Sequence, residues 1–143
     1  MNVEQVSPDL AFESLKTERA AHLVDVRTQG EWTFVGVPDL SQLGKDVFCI
    51  EWRGSPSMDV NHAFADTLLA DLDGQEVSKL LFICRSGVRS FEAASLMSEV
   101  FKQNGQIVTC LNVSEGFEGD LSSHDHRGEN NGWKARDLPW RQS

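Results

Sequence analysis

The sequence predicts an α/β domain built on a mostly parallel sheet with helices packed on both faces. Three observations carry this. Short apolar runs at residues 23–26, 47–50, 80–84 and 107–111 alternate with segments of helical periodicity. That alternation selects parallel strands, because each crossover must return over a face of the sheet. The run Leu80-Leu81-Phe82-Ile83-Cys84 is apolar throughout, as suits a strand buried on both faces at the centre of the sheet.

Each element follows from local signals. Ser7-Pro8-Asp9 starts a helix with an N-cap serine, proline at the first helical position and an acid in the first turn; Leu10, Phe12 and Leu15 are its expected apolar face. Leu23-Val24-Asp25-Val26 is a short buried strand. Residues 27–44, with Gly30, Gly36, Pro38 and Gly44, read as a long loop packed by Trp32 and Phe34. Val47-Phe48-Cys49-Ile50 is the next strand. Phe64, Leu68 and Leu72 recur at helical spacing up to Asp73-Gly74. After the central strand, Ala93, Leu96, Met97 and Val100 mark one face of a helix that begins near Val88 and ends at Asn104-Gly105. Ile107-Val108-Thr109-Cys110-Leu111 is the last strand, and Ser114 to Gly119 opens a loop. Residues 121–143 are expected to be a polar loop followed by an apolar tail, with Trp133, Leu138 and Trp140 packed back on the body; the whole of 1–143 then forms one domain.

Composition narrows the function. The 143 residues carry 22 acids against 13 lysines and arginines, a formal charge of −9. A field of that sign repels nucleic-acid backbones and anionic membranes, so neither is an expected partner. No run approaches the ~18 apolar residues of a membrane span, and Glu4, Pro8 and Asp9 interrupt any apolar leader, so the expected location is cytoplasmic. Cys49, Cys84 and Cys110 are odd in number and far apart, which fits neither a disulfide framework nor a zinc cage. No metal site is expected; His124 and His126, in an H-x-H pair on a polar loop, read as solvated.

The cysteines differ in setting. Cys49 and Cys110 have apolar neighbours on both sides and read as core residues. Cys84 stands at the C-terminal end of a parallel strand, where ligands bind in sheets of this kind. A turn containing Gly87 and a helix follow. That geometry aims the amides of Ser86, Gly87, Val88 and Arg89 at the sulfur, and Arg85 and Arg89 add positive charge. A thiol so placed is expected to ionise readily and act as a nucleophile. Asp25 and Arg27, flanking a strand end, read as a structural ion pair that tethers the long loop.

Cys84-Arg85-Ser86-Gly87-Val88-Arg89-Ser90 resembles the active-site loop of rhodanese-domain sulfurtransferases. Three further stretches, in the same order along the chain, resemble that family: Leu23-Val24-Asp25-Val26-Arg27 with Glu31-Trp32, Asn112-Val113-Ser114-Glu115-Gly116-Phe117, and Gly132-Trp133-Lys134 with Leu138-Pro139. The resemblance implies a rhodanese-like three-layer fold, a five-stranded parallel sheet flanked by helices on both faces. It also implies ping-pong chemistry in which Cys84 takes sulfur from thiosulfate or a related persulfide donor and gives it to a thiol or cyanide acceptor. Arg85, Ser86, Gly87, Val88 and Arg89 would bind the donor, and no cofactor is required. Gly36-Val37-Pro38 stands where the family commonly has Gly-His-Ile, so no catalytic role is expected of that segment.

Two other functions are weighed. Phosphatases and arsenate reductases of related fold separate their cysteine and arginine by five residues, whereas four lie between Cys84 and Arg89. A phosphoryl group needs the wider ring of donors; on the view that this loop is exposed, an inserted residue should widen it without harm to the fold. Non-catalytic rhodanese-like interaction modules typically lack the cysteine, which this chain retains.

Overall fold

The computed structural model describes residues 3–143. In chain order it contains β1 (Glu4–Val6), α1 (Pro8–Thr17), β2 (Ala21–Asp25), α2 (Gln29–Phe34), β3 (Val37–Pro38), β4 (Val47–Cys49), β5 (Arg53–Gly54) and β6 (Asp59–Val60). There follow α3 (Phe64–Leu72), β7 (Lys79–Ile83), α4 (Val88–Gln103), β8 (Thr109–Val113) and β9 (Trp140–Arg141). The main sheet has five strands in the order β1-β8-β7-β2-β4, all parallel. Two small antiparallel pairs, β3 with β9 and β5 with β6, lie outside it.

Side chains alternate across a strand, so a central strand feeds two cores at once. Leu80, Phe82 and Cys84 enter one core, with Val24, Leu68, Ala93, Met97 and Phe101 from β2, α3 and α4. Leu81 and Ile83 enter the other, with Leu15 of α1, Leu23, Val113, Phe117 and Trp133. Helices α3 and α4 therefore cover one face, while α1 and the C-terminal segment cover the opposite one. Ser7 caps α1 by accepting from the Leu10 amide at 3.2 Å, and Pro8 takes the first helical position. Gly74 and Gly105 adopt the left-handed conformations (φ +81° and +72°) that end α3 and α4.

Several expectations need correction. Leu10 is 62% exposed, and Ala11 takes its place on the buried face of α1. Leu96 faces outward from α4, where Ala94 and Phe101 pack instead. The last strand runs over Thr109–Val113, leaving Ile107 95% exposed in the connection. The supposed loop at 27–44 holds helix α2, whose capping box pairs Thr28 with Glu31, then β3 and a 3-10 turn at Ser41–Leu43; Phe34 is exposed and packs nothing. Cys49 is exposed because β4 is an edge strand, while Cys110 is buried as expected. Strand β1, the opposite edge, had no local signal strong enough to be read.

The tail does fold back. Trp133 is fully buried, meets Phe12 edge to face, and donates its indole N–H to the Pro139 carbonyl at 2.7 Å. Arg136 ties the segment to Glu115 and to Asp9 of α1. Trp140, partly exposed, sits edge-on to Phe117 while β9 pairs with β3. Among the described residues no helix is long and apolar enough to cross a membrane.

Candidate active site around Cys84

Cys84 follows directly on β7 and precedes α4, a sixteen-residue helix whose N-cap, Gly87, offers no side-chain cap. Its first-turn amides lack intrahelical acceptors by construction, and the helix dipole places positive potential at this end. The Gly87 N–H donates to Cys84 Sγ at 3.1 Å, and Ser90 Oγ lies 3.1 Å from the same sulfur. Of the amides named from the sequence, that of Gly87 makes this contact; Ser86 borders the loop and Val88 projects outward, 69% exposed.

Ser90 and Asn112, not identified from sequence as site residues, complete the support. Ser90 Oγ lies 2.5 Å from Asn112 Oδ1, and Asn112 Nδ2 donates to the Gly87 carbonyl (3.0 Å) and to Gln5 Oε1 (2.8 Å). Asn112 is nearly fully buried on β8, so its amide clamps the cysteine loop to the neighbouring strand. The hydroxyl has one proton: donated to Asn112, it leaves the oxygen free to accept from a Cys84 thiol, and rotated, it donates to an ionised sulfur. Asn112 opens the stretch already matched to the family, but nothing local shows that its side chain reaches a loop 25 residues earlier.

The loop is pinned from its other side. Phe117 N–H donates to the Cys84 carbonyl at 2.8 Å, and the Glu118 and Gly119 amides both donate to the Arg85 carbonyl. Contact is close enough to need glycine at two positions. A Cβ on Gly87 (φ +109°) would stand 2.5 Å from the Ser114 carbonyl oxygen, and one on Gly116 would collide with the Arg85 carbonyl. The expectation that this loop is exposed holds for Arg85 but not for Cys84 and Gly87, which are buried, and the carbonyls of Cys84, Arg85 and Gly87 all accept hydrogen bonds from the surrounding structure.

The two arginines part company. Arg85 is exposed. Arg89 instead forms a two-point ion pair with Glu31, Nη1 to Oε1 at 2.7 Å and Nη2 to Oε2 at 2.9 Å. Burial pushes the Glu31 carboxyl up, but the Arg89 hydrogen bonds and charge, with bonds from Thr28, outweigh it and hold the group down at about 2. The Arg89 fork thus already faces a carboxylate. Both residues line a 410 Å³ pocket with Thr28, Met58, Glu118 and Arg127, a pocket that does not include Cys84 itself, which is 2% exposed.

Asp25 and Arg27 form the structural pair read from the sequence. Both are fully buried; Arg27 Nη2 meets Asp25 Oδ2 at 2.7 Å and the Gly36 carbonyl at 2.8 Å, which tethers the end of α2 to the sheet. The guanidinium carbon lies 4.3 Å from the centre of the Phe117 ring. Burial pushes the Cys110 thiol up to about 12. Cys49 is exposed at the edge, yet partial burial of its sulfur and the Asp25 carboxylate push that thiol to about 12 as well. Neither is poised as a nucleophile. His124 and His126 are exposed, with His126 against Glu129, and no cluster suited to a metal ion occurs among the described residues.

Comparison with known proteins places this geometry. No family profile matches the chain. An uncharacterised protein of Rickettsia prowazekii is 35% identical over 140 residues, covering 98% of each chain. The crystal structure of Rv0390 from M. tuberculosis superposes over the full length of both chains with TM-score 0.82 and 43% identity. The polysulfide-sulfur transferase homodimer of Wolinella succinogenes shares the fold, with TM-score 0.56 and 22% identity over 99% of this chain and 80% of that one. A thylakoid rhodanese-like protein of Oryza sativa subsp. indica is 24% identical over 94% of this chain, which spans 24% of its length. The five-stranded parallel sheet, the cysteine loop between β7 and α4 and the superposition on these structures agree: the chain has the rhodanese-like fold.

Proposed function

We propose that this protein is a sulfurtransferase that carries sulfane sulfur as a persulfide on Cys84. The observation that carries the reading is the sulfur itself, held by the Gly87 amide and beside the Ser90 hydroxyl at an N-terminus of α4 that has no side-chain cap. These are the groups that stabilise negative charge on sulfur. The Cys84 thiolate attacks the outer sulfur of thiosulfate or a related donor; a new S–S bond forms, the S–S bond of the donor breaks, and its electron pair leaves on sulfite. A thiol or cyanide then attacks the outer sulfur of the persulfide and regenerates the thiolate. The likeness to a polysulfide-sulfur transferase supports transfer of sulfane sulfur as the class of reaction.

The test is mass spectrometry of the protein after thiosulfate treatment without reductant. The expected result is a gain of one sulfur atom on Cys84, removed by cyanide and absent from Cys84→Ser. Wild-type protein that gains no sulfur from thiosulfate or from polysulfide, with its fold intact, would instead support a non-catalytic interaction module.

A further inference from the structure

The geometry points to Arg127, together with Arg85, as the pair that binds the anionic sulfur donor, in place of the Arg85–Arg89 pair that the motif suggests. This rests on the sulfur-transfer reading above and names which charges select its substrate. Arg127 lies outside every stretch that resembles the family, in the polar segment between Leu121 and Trp133. It nevertheless forms part of the wall of the 410 Å³ pocket that Arg85 and Arg89 share.

The segment is held in place. Ser122 Oγ accepts from the His124 and His126 amides, each at 3.2 Å. Asn131 bridges Asp120 through both ends of its amide. The Gly128 amide donates to the Glu118 carbonyl, and Arg127 Nη1 donates to the Gly119 carbonyl at 2.6 Å. Gly119 is in turn bonded through its amide to the Arg85 carbonyl. The two arginines are thus mounted on opposite sides of one hydrogen-bonded turn.

Charge decides which cations are available. Arg89 spends both terminal nitrogens on Glu31. Among the described residues neither Arg85 nor Arg127 has a carboxylate within salt-bridge distance, and Arg127 has committed one of its donors to a neutral carbonyl. Glu118 is the remaining acid on the wall. Two free guanidiniums against one carboxylate make a locally positive mouth on a chain of net charge −9, which otherwise repels a dianion such as thiosulfate.

The test compares thiosulfate with methanethiosulfonate, which delivers sulfur by the same bond changes but carries one charge fewer and expels a sulfinate. For Arg127→Gln the expected result is a rise of about tenfold in KM for thiosulfate, the loss of one charge-assisted hydrogen bond, with kcat little changed and a smaller effect on the thiosulfonate. Arg127→Lys should restore part of the loss, and Glu118→Gln should lower KM for thiosulfate. Separately, sulfate is titrated into the Cys84→Ser protein while the guanidinium N–H resonances are followed by NMR. Shifts at Arg127 and Arg85 are expected. Equal KM changes with both donors, no change in Arg127→Gln, or sulfate shifts confined to Arg89 would overturn the assignment. Sulfate shifts at Arg127 in a protein whose wild type never accepts sulfur would uphold the anion site and overturn the function proposed above.

Discussion

Replacing Asp25 with asparagine tests the ion pair beneath the site. Asp25 and Arg27 are both fully buried, and the carboxylate receives Arg27 Nε, Nη2 and the Arg27 backbone amide at 2.7–3.2 Å. Asparagine keeps the shape but leaves the guanidinium charged, buried and without a counter-charge. The guanidinium keeps the neutral amide oxygen, the Gly36 carbonyl and the Phe117 face, and Nη1 already lacks any partner. Breaking a buried pair in this way costs about 3–5 kcal/mol. For a domain of this size that is a fall in melting temperature of roughly 10–15 °C. The double variant Asp25→Leu/Arg27→Met removes both charges together and should recover about half of the loss, the remainder being the unpaired Gly36 carbonyl and backbone amide of residue 27. The assay is reversible thermal or urea unfolding followed by circular dichroism at neutral pH. A loss below about 1 kcal/mol for Asp25→Asn would refute the argument, as would a double variant no more stable than the single one.

Three further outcomes are expected. Glu31 has its carboxyl held down at about 2, so the stability it contributes is fully present above the ordinary carboxylate range and is lost as pH falls from about 4.5 towards 2; in acid unfolding curves, Glu31→Gln should flatten that part of the profile and lower stability at pH 7, and an unchanged slope would count against the pair. Gly87→Ala forces a Cβ to 2.5 Å from the Ser114 carbonyl at φ +109°, and should cost at least about 2 kcal/mol and most of the sulfur transfer; a fully active, fully stable variant would show that the loop has room. Trp133→Ala should cost about 3–5 kcal/mol in urea unfolding, because a fully buried indole with a satisfied N–H leaves a cavity between α1 and Phe117; a loss under 1 kcal/mol would mean that the C-terminal segment is a dispensable tail.

Much of the framework was legible because its signals are local. Ser7-Pro8 announces α1, Phe64-Leu68-Leu72 the buried stripe of α3, and the run ending at Cys84 the central strand. The cysteine at that strand end, followed by Gly87 and a helix, located the sulfur; the family resemblance supplied the strand count. What escaped the sequence depends on strand order and on partners distant along the chain. The same apolar pattern reads as buried in Cys49 and in Cys110, yet β4 is an edge strand and β8 an inner one, so one cysteine is open and the other closed. Leu10, Leu96 and Phe34 are apolar side chains that the packing leaves outside, where an exposed hydrophobe costs little. Arg89 was read from its neighbour Cys84, but its charge is consumed by Glu31, 58 residues away, and Asn112 reaches the loop from 22 residues beyond Ser90. Periodicity and capping act over about four residues, whereas the electrostatics of a buried site is a sum over every group that the fold brings within hydrogen-bonding range. The sequence determined where Cys84 stands and which elements hold it; only the tertiary structure decided which of the charges around it are already paired.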